Sequence, residues 1–510
     1  MYPGTHAHRT PDKPAVVMAE TGEQLSYRVL DENSARLARV LNDAGLRRGD
    51  VVAMLSENRL ECFEAYWAAL RSGLYINAIN THLGVEEIAH IVNDSGARAL
   101  VTTAKQAEVA EALVAHTSGV ANRYAIDGHL TGHRDYGTAL AEAGPRLTHE
   151  PRGATMLYSS GTTGEPKGIK TALPDASVSD PGEPITHLLQ RMYELTAADV
   201  YLSPAPIYHA APLNWCGALH ALGATVVMMK RFDAEGALRA IEHFGITVTQ
   251  VVPTMFVRML KLPEKTREAY DMSSLRVAVH AAAPCPTDVK RAMIDWWGPI
   301  LHEYYGSTEG NGITFIDTEQ WLRKPGSVGR AALGTARICD DDGAELGAGE
   351  VGLVYFERDH LPFEYHNDPE KTKIAQHPQH PTWTTVGDVG YLDEDGFLYL
   401  TDRKSFMIIS GGVNIYPQEI ESVLTLHPAV DDVAVIGVPD TDMGEQVKAV
   451  IKPAHELEAS NQLGEELIEY VRSRLAHYKA PRSVDFVTTL PRTATGKLRK
   501  GELRDQYVDQ

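Results

Sequence analysis

The stretch Met156-Leu-Tyr-Ser-Ser-Gly-Thr-Thr-Gly-Glu-Pro-Lys-Gly-Ile-Lys170 decides how the rest of the chain is read. The run Thr155 to Tyr158 predicts a short strand, which opens into Ser159, Ser160, Gly161, Thr162, Thr163 and Gly164. Glycine lets the backbone bend where a side chain would clash, so consecutive N–H groups can point into one concavity. Four hydroxyls add further donors, and Lys167 places a cation at the rim. Such a loop suits a polyphosphate. A plain Gly/Ser/Thr surface turn is the alternative, and the density of donors, the preceding strand and the lysine outweigh it. The loop is not a Walker A motif, which needs Gly-Lys-Ser/Thr in a row, because Lys167 follows Pro166.

Working outward, 510 residues exceed what one compact core holds, so two or more domains are expected. A hydrophobic content of 43% with 23% charged residues is ordinary for a soluble globular chain. The formal net charge of −20 argues against a nucleic-acid binder, which needs a basic face. Cys62, Cys216, Cys285 and Cys339 lie far apart without metal-like spacing, and read as buried free thiols of a reducing cytoplasm. Cys285, between two prolines, is a weak candidate nucleophile with no partner identifiable from the sequence. No signal-peptide core and no run of 18 apolar residues appears, so no integral membrane association is expected. A homo-oligomer is compatible with the sequence but not required by it.

Before the glycine loop, helical spacing over Tyr27–Ala44, Leu60–Arg71 and Val85–Ser95 alternates with strand candidates Val51–Leu55 and Ala99–Thr102. That alternation implies a parallel or mixed sheet covered by helices. The aromatic stripe Phe63, Tyr66, Trp67 reads as core. After the loop, Ala172 to Pro184 is polar with three prolines and reads as a mobile surface excursion. Val248–Pro253 and Val277–Pro284 read as buried strands whose C-terminal ends face a ligand, as α/β folds arrange them. Residues 326 to 400 switch to short β runs and turns. The acidic turns Asp341-Asp342-Gly343 and Glu394-Asp395-Gly396 read as solvated hairpins rather than metal ligands.

Tyr304-Tyr-Gly-Ser-Thr-Glu309 is the second strong signal. An aromatic before glycine can stack on a purine, a hydroxyl can bond a phosphate, and a carboxylate can hold magnesium. A turn with a helix cap is the alternative. Towards the C-terminus come Val386-Gly-Asp-Val-Gly-Tyr391, Leu400-Thr-Asp-Arg-Lys404, Ile408-Ile-Ser-Gly-Gly-Val-Asn-Ile415 and Leu490-Pro-Arg-Thr-Ala-Thr-Gly-Lys-Leu-Arg499. A helix from Pro417 to Leu424, strands Val433–Val438 and Val447–Ile451, a helix Leu463–Leu475 and a strand Val484–Val487 make a small α+β domain.

The order of these motifs resembles that of the adenylate-forming enzymes, the superfamily of acyl-CoA synthetases, carrier-loading adenylation domains and firefly luciferase. The likeness spans essentially the whole chain and is closest to the acyl-CoA synthetase branch. It implies a large N-terminal α/β domain with a β-rich subdomain (residues 1–401), hinged to a small C-terminal α+β domain (402–510). It also implies ATP, Mg2+ and coenzyme A as reactants and cofactors, and a hydrophobic carboxylic acid as substrate. By resemblance, Ser159 to Gly164 and Lys167 hold the phosphates, Tyr305 and Gly306 the adenine, Thr308 a phosphate, and Glu309 the magnesium. Ala282 belongs to the adenine loop, Asp388 and Arg403 bind the ribose, and Asp402 is the hinge. Gly411 and Gly412 line the CoA channel; His209, Asn214, Ala281, Ala283 and Gly306 surround the acyl pocket, with Trp215 beside them. Lys497 is the mobile catalytic lysine, acting with Thr308 and His209. The three alanines suggest a roomy apolar pocket, although a plain core reading is equally available.

Three departures stand out: the excursion after the phosphate loop, Ser405-Phe406 where Lys-Asp is commonest, and a loose match at His280–Pro284. The first two leave open a ligase that only thioesterifies an adenylate made elsewhere. An acid–AMP ligase loading a separate carrier protein is the other alternative. A luciferase-like oxygenase has no support in this sequence.

Overall fold

The computed structural model describes residues 2–159, 166–454, 459–492 and 498–508. The fold is mixed α/β with a large N-terminal part and a small C-terminal α+β domain. Contacts divide it into two compact units, one of residues 1–251, 257–280 and 363–372, the other of residues 252–256, 281–362 and 373–510.

The first unit holds an eight-stranded sheet in the order Glu364–Tyr365, Lys167–Lys170, Ala154–Ser159, Tyr75–Ile79, Val51–Leu55, Ala97–Thr103, Asn122–Ile126, Arg134–Asp135. Its middle pairs are parallel, and every residue of Val51–Leu55 and Tyr75–Ile79 is buried. That is the pattern of strands covered on both faces, and it explains the unbroken apolar run of Val51–Leu55. A second set of strands in this unit runs Val277–His280, Val248–Val251, Val200–Ser203, Thr225–Met228, Pro14–Met18, Gln24–Ser26, parallel except at the last pair. The helix Tyr27–Asp43 starts where Ser26 Oγ accepts from the Val29 amide, and presents Leu30, Leu37 and Leu41 to the core. Phe63, Tyr66 and Trp67 on Glu61–Leu70 are buried, as core residues should be.

One expectation changes here. Residues 172–183 form no helix or strand, but they do not stand away from the surface. The Arg152 amide donates to the Ala176 carbonyl and the Val178 amide to the Glu150 carbonyl, and Val178 is buried. An apolar anchor and two paired amides pin a segment whose prolines and polar residues suggested only solvent. The helix Pro184–Tyr193 follows, with Pro184 at its first position.

In the second unit, Leu301–Gly306, Ile313–Asp317 and Arg330–Leu333 pair antiparallel. A five-stranded sheet follows: Thr335–Cys339, Gly352–Glu357, Asp388–Leu392 and Leu398–Arg403 in order, with Trp383–Thr384 against Gly352–Glu357. The acidic turns close hairpins. Asp340 accepts from the Asp342 and Ala344 amides, Asp393 accepts from those of Asp395 and Phe397, and Lys324 pairs with Asp393 and Asp395. No group of three His, Cys, Asp or Glu suited to a metal occurs among the described residues.

The C-terminal domain is a second five-stranded sheet of Val413–Ile415, Ile408–Ser410, Gly444–Pro453, Val430–Asp440 and Ser483–Phe486. Helices Pro417–Leu424 and Asn461–Arg472 lie over a core that includes Ile420, Leu424, Val435, Ile451 and Leu467. The strands expected at 433–438 and 447–451 are one longer hairpin, Val430–Asp440 with Gly444–Pro453. Asp440 accepts from the Asp442 and Met443 amides, and Gly444 at φ 79° completes the reversal. No helix among the described residues is long and apolar enough to cross a membrane.

Candidate active site

In the first unit, strand β1 (Ala154–Ser159) pairs antiparallel with strand β2 (Lys167–Lys170), Ser159 opposite Lys167. The strands on either side of the phosphate-loop stretch are thus antiparallel neighbours in one sheet. Ser160, Gly161, Thr162, Thr163 and Gly164 lie outside the described residues, as does the side chain of Ser159. A Cβ at Gly168 would sit 2.9 Å from the Tyr158 ring, so a side chain there would displace that ring. The Tyr158 hydroxyl in turn donates to Asp94 Oδ2 at 2.6 Å. Lys167 Nζ lies 3.1 Å from Asp368 Oδ2. The Lys371 amide, together with Lys167, holds the Asp368 carboxyl below its ordinary range. The rim cation therefore has a carboxylate partner that the sequence reading did not identify; only the turn-forming Asn367-Asp-Pro369 hinted at a fixed acid there.

His209, with extended backbone at φ −92° and ψ 153°, immediately precedes helix α1 (Ala210–Leu222). It is half-buried, its ring 4.6 Å from that of Tyr208. Asn214 on α1 is half-buried as well, whereas Trp215 is buried and stacks on Tyr201 at 5.6 Å, with Tyr193 at 5.4 Å. Trp215 is thereby a core residue of the first unit rather than a pocket wall.

The second unit brings Tyr305, Asp388 and Arg403 together. Tyr305 is the penultimate residue of strand β3 (Leu301–Gly306), Asp388 begins strand β4 (Asp388–Leu392), and Arg403 ends strand β5 (Leu398–Arg403). The β4–β5 register sets Asp388 directly opposite Arg403. Tyr305 Oη donates to Asp388 Oδ2 at 2.6 Å, and Arg403 Nε donates to Asp388 Oδ1 at 3.0 Å. The Tyr305 ring packs 6.2 Å from Phe356. Burial, and then the Asp388 charge, push the Tyr305 phenol well above its ordinary range, so it is a permanent donor.

Thr308 and Glu309 occupy the turn after β3, Thr308 exposed and Glu309 buried. Three residues that the sequence reading passed over hold this turn. Ser307 Oγ donates to Asn311 Oδ1 at 3.0 Å, and Asn311 Nδ2 donates to the Thr384 carbonyl at 3.3 Å. The Arg358 guanidinium donates to the Gly310 and Asn311 carbonyls. Gly312 passes so close to Phe356 that a Cβ would lie 2.0 Å from its ring. The Gly310-Asn-Gly312 run was the available signal for so tight a turn. Gly306 is less constrained, its nearest neighbour being the Gly312 carbonyl at 3.4 Å from a Cβ.

Ala281 is buried while Ala282 and Ala283 are exposed, and Ala282 sits at φ 72°. That left-handed value costs an alanine about 1–2 kcal/mol. It marks residue 282 as held by its surroundings. Burial and the nearby Glu303 carboxylate raise the pKa of the Cys285 thiol, which argues against a nucleophile there. Burial likewise pushes Cys62 and Cys216 up to about 12. None of the four cysteines is in a disulfide.

Asp402 Oδ1 accepts from the Arg403 amide, and its Oδ2 accepts from the Gln418 amide at 3.1 Å. Gly411 and Gly412 turn the chain between Ile408–Ser410 and Val413–Ile415 at φ 57° and 78°, and a Cβ on Gly411 would meet Met443 Cε at 2.4 Å. Lys497 lies outside the described residues.

Chemically, the second unit offers a fixed carboxylate with a tyrosine ring at one end and an arginine at the other. A clamped turn carrying a hydroxyl and an acid follows that tyrosine closely in sequence. Comparison with known proteins identifies the family. The family model for AMP-binding enzymes matches residues 4–365, and that for the AMP-binding enzyme C-terminal domain matches residues 419–497. A feruloyl-CoA synthase from Amycolatopsis sp is 34% identical over 99% of this chain and 98% of its own length. The long-chain-fatty-acid–CoA ligase FadD13 of Mycobacterium tuberculosis is 33% identical over 98% and 96%. Among solved structures, ATP-bound MatB from Rhodopseudomonas palustris superposes with a TM-score of 0.83 at 29% identity, covering 100% of this chain and 99% of that one.

Proposed function

This chain belongs to the AMP-binding enzyme family, and from that premise we propose that it activates a bulky hydrophobic carboxylic acid in preference to acetate. It is an ATP-dependent, AMP-forming acid–thiol ligase that works through an acyl-adenylate and transfers the acyl group to coenzyme A. The observation that carries the residue assignment is the Tyr305–Asp388–Arg403 cluster. A carboxylate has about four lone-pair positions. Tyr305 and Arg403 occupy one on each oxygen of Asp388, which leaves one on each for the two hydroxyls of a ribose.

In the first half-reaction a carboxylate oxygen of the acid attacks the α-phosphorus of ATP. The bond to the bridging oxygen breaks, and pyrophosphate leaves. The work of the chain is positioning and charge stabilisation. Asp388 and Arg403 hold the ribose, Tyr305 the adenine, and Thr308 with the Ser159–Lys167 loop the phosphates. Lys497 bridges the attacking carboxylate and the α-phosphate oxygens. Glu309 would hold the magnesium; a buried carboxylate on a clamped turn fits an ion bound mainly by phosphates and water. Magnesium supplies charge neutralisation for the leaving pyrophosphate. In the second half-reaction the CoA sulfur, its proton lost, attacks the acyl carbon and AMP leaves with the broken C–O electrons. Gly411 and Gly412 are the backbone beside which the thiol arm passes, His209 stands between thiol path and acyl pocket, and Asp402 is the pivot. Residues 1–401 and 402–510 are the two bodies of that pivot.

The preference for a bulky apolar acid rests on the small side chains at Ala281, Ala282, Ala283 and Gly306, and on relatives named for ferulate and long-chain fatty acids. A cytoplasmic location is part of this reading, and four cysteines outside disulfides support it. The test is ATP, CoA and a panel of acetate, octanoate, palmitate, ferulate and indoleacetate, with pyrophosphate and thioester read by mass spectrometry. Thioester from the aromatic or long acids is the expected result. Acetate turned over best would refute the acid class, and pyrophosphate without thioester would refute the second half.

A further inference from the structure

Two sets of polar contacts, joined by one helix of the C-terminal domain, link the hinge residue to the segment that follows Lys497. The first begins at Asp402, whose Oδ2 accepts from the Gln418 amide in the first turn of helix α2 (Pro417–Leu424). One turn further along α2, Glu421 is 7% exposed. Its Oε1 accepts from the Val435 amide at 2.7 Å, on strand β6 (Val430–Asp440), and lies 2.9 Å from Lys500 Nζ. Lys500, also 7% exposed, is the first residue of helix α3 (Lys500–Val508), and its ammonium stands 5.5 Å from the centre of the Phe406 ring. Arg492, on the other side of Lys497 in sequence, pairs with Asp432 of the same β6 at 2.6 Å. Arg492 also forms a β-bridge with Leu498, and the Arg499 amide donates to the Pro491 carbonyl.

Two physical points separate the Glu421–Lys500 pair from an ordinary stabilising contact. A lysine at the first position of a helix stands at the positive end of the dipole, so it does not serve α3. Buried ion pairs also give little net stability, and well-packed apolar replacements are often neutral or better. What the pair does provide is geometry. It fixes the first residue of α3 to the one helix whose N-terminus is capped by Asp402, and three residues of chain reach at most about 10 Å.

We propose that Glu421 and Lys500 are a positioning pair for Lys497, fixing the C-terminal root of its segment to α2 and, through α2, to the hinge carboxylate. Phe406, one of the two residues that depart from the family pattern after the hinge, supplies an aromatic face on the ammonium beside Glu421. The pair acts in the adenylating half-reaction alone, because that half is the one that uses Lys497. This rests on the assignment of Lys497 given above.

The experiment uses the full chain, the best acid from the panel, and the two half-reactions measured apart: pyrophosphate release from ATP and the acid, and thioester from the preformed acyl-adenylate and CoA. Variants are Glu421→Gln, Lys500→Met, the apolar double Glu421→Met/Lys500→Met, and Lys497→Ala as reference, each with a melting curve. Misplacing a reacting group by about 1 Å costs on the order of 100-fold, so adenylation is expected to fall about 10- to 100-fold in the pair variants. Thioester formation should stay within about twofold of wild type, and the double variant should melt near wild type. Equal losses in both halves, or no loss in either, with Lys497→Ala still defective in adenylation, would overturn the positioning role alone. Adenylation surviving in Lys497→Ala would instead overturn the lysine assignment and the proposal with it.

Discussion

Replacing Tyr305 by phenylalanine removes one oxygen and keeps the ring. In the structure that oxygen makes a 2.6 Å hydrogen bond to Asp388, and the Arg403 guanidinium at 3.0 Å is the other prop of the same carboxylate. A hydrogen bond to a charged group contributes about 1.5–3 kcal/mol net. Part of that is recovered when the freed oxygen meets water, and about 1.4 kcal/mol corresponds to tenfold in affinity. Tyr305→Phe is therefore expected to raise the KM for ATP about 10-fold and leave kcat within about twofold, the signature of lost uniform binding. The effect should narrow the preference for ATP over 2′-deoxy-ATP, because an untethered carboxylate no longer presents both acceptors in register with the sugar hydroxyls. The assay is initial-rate pyrophosphate release with each nucleotide, alongside a melting curve. A wild-type enzyme indifferent to the 2′-hydroxyl would remove Asp388 from the ribose. An unchanged ATP to 2′-deoxy-ATP ratio in a well-folded Tyr305→Phe protein would refute the reasoning about the phenol.

Three further outcomes are expected. Glu64 is buried among the Asn33 amide, the Tyr136 hydroxyl and the more distant Glu61 and Arg59; burial raises its pKa from 4.5 to about 7. Folding therefore takes up a proton between those values, so its contribution is fully present below 4.5 and is lost as pH rises through 7, about 3 kcal/mol in all. Glu64→Gln should flatten that slope in urea unfolding curves taken near pH 5 and pH 8, and parallel curves would disprove it. Glu309→Gln keeps the side-chain shape but weakens a hard-cation ligand, so the magnesium needed for half-maximal adenylation should rise several-fold; an identical titration would make Glu309 purely structural. Ala282→Gly removes the cost of φ 72° and should stabilise the protein by about 1 kcal/mol. A lower melting temperature would show that the alanine methyl contributes packing worth more than the strain.

Elements whose causes are local were legible in the amino-acid order. Val51–Leu55 reads as a covered strand because all five residues are apolar, and helix Pro417–Leu424 reads to its limits because proline suits a first turn and the spacing of Ile420 and Leu424 is helical. That order also offered candidate groups for a nucleotide: a hydroxyl-rich glycine loop and a Tyr-Gly-x-Thr-Glu turn carry their chemistry in residue type, whereas Asp388 and Arg403 stood out only through the family resemblance. What those groups touch depends on how distant segments pack. Tyr305 reaches Asp388 across 83 residues, and Asp388 faces Arg403 only in the register of one hairpin. Lys167 meets Asp368, and Lys500 meets Glu421, through strands and helices distant in the chain. The excursion at 172–183 was misjudged for the same reason: composition reports what a segment could expose, whereas its pinning depends on Glu150 and Arg152 offering free backbone groups beside it. Helix and turn signals arise from neighbours within about four residues. A hydrogen bond between residues far apart requires the intervening chain to have folded first, and no local pattern encodes that register.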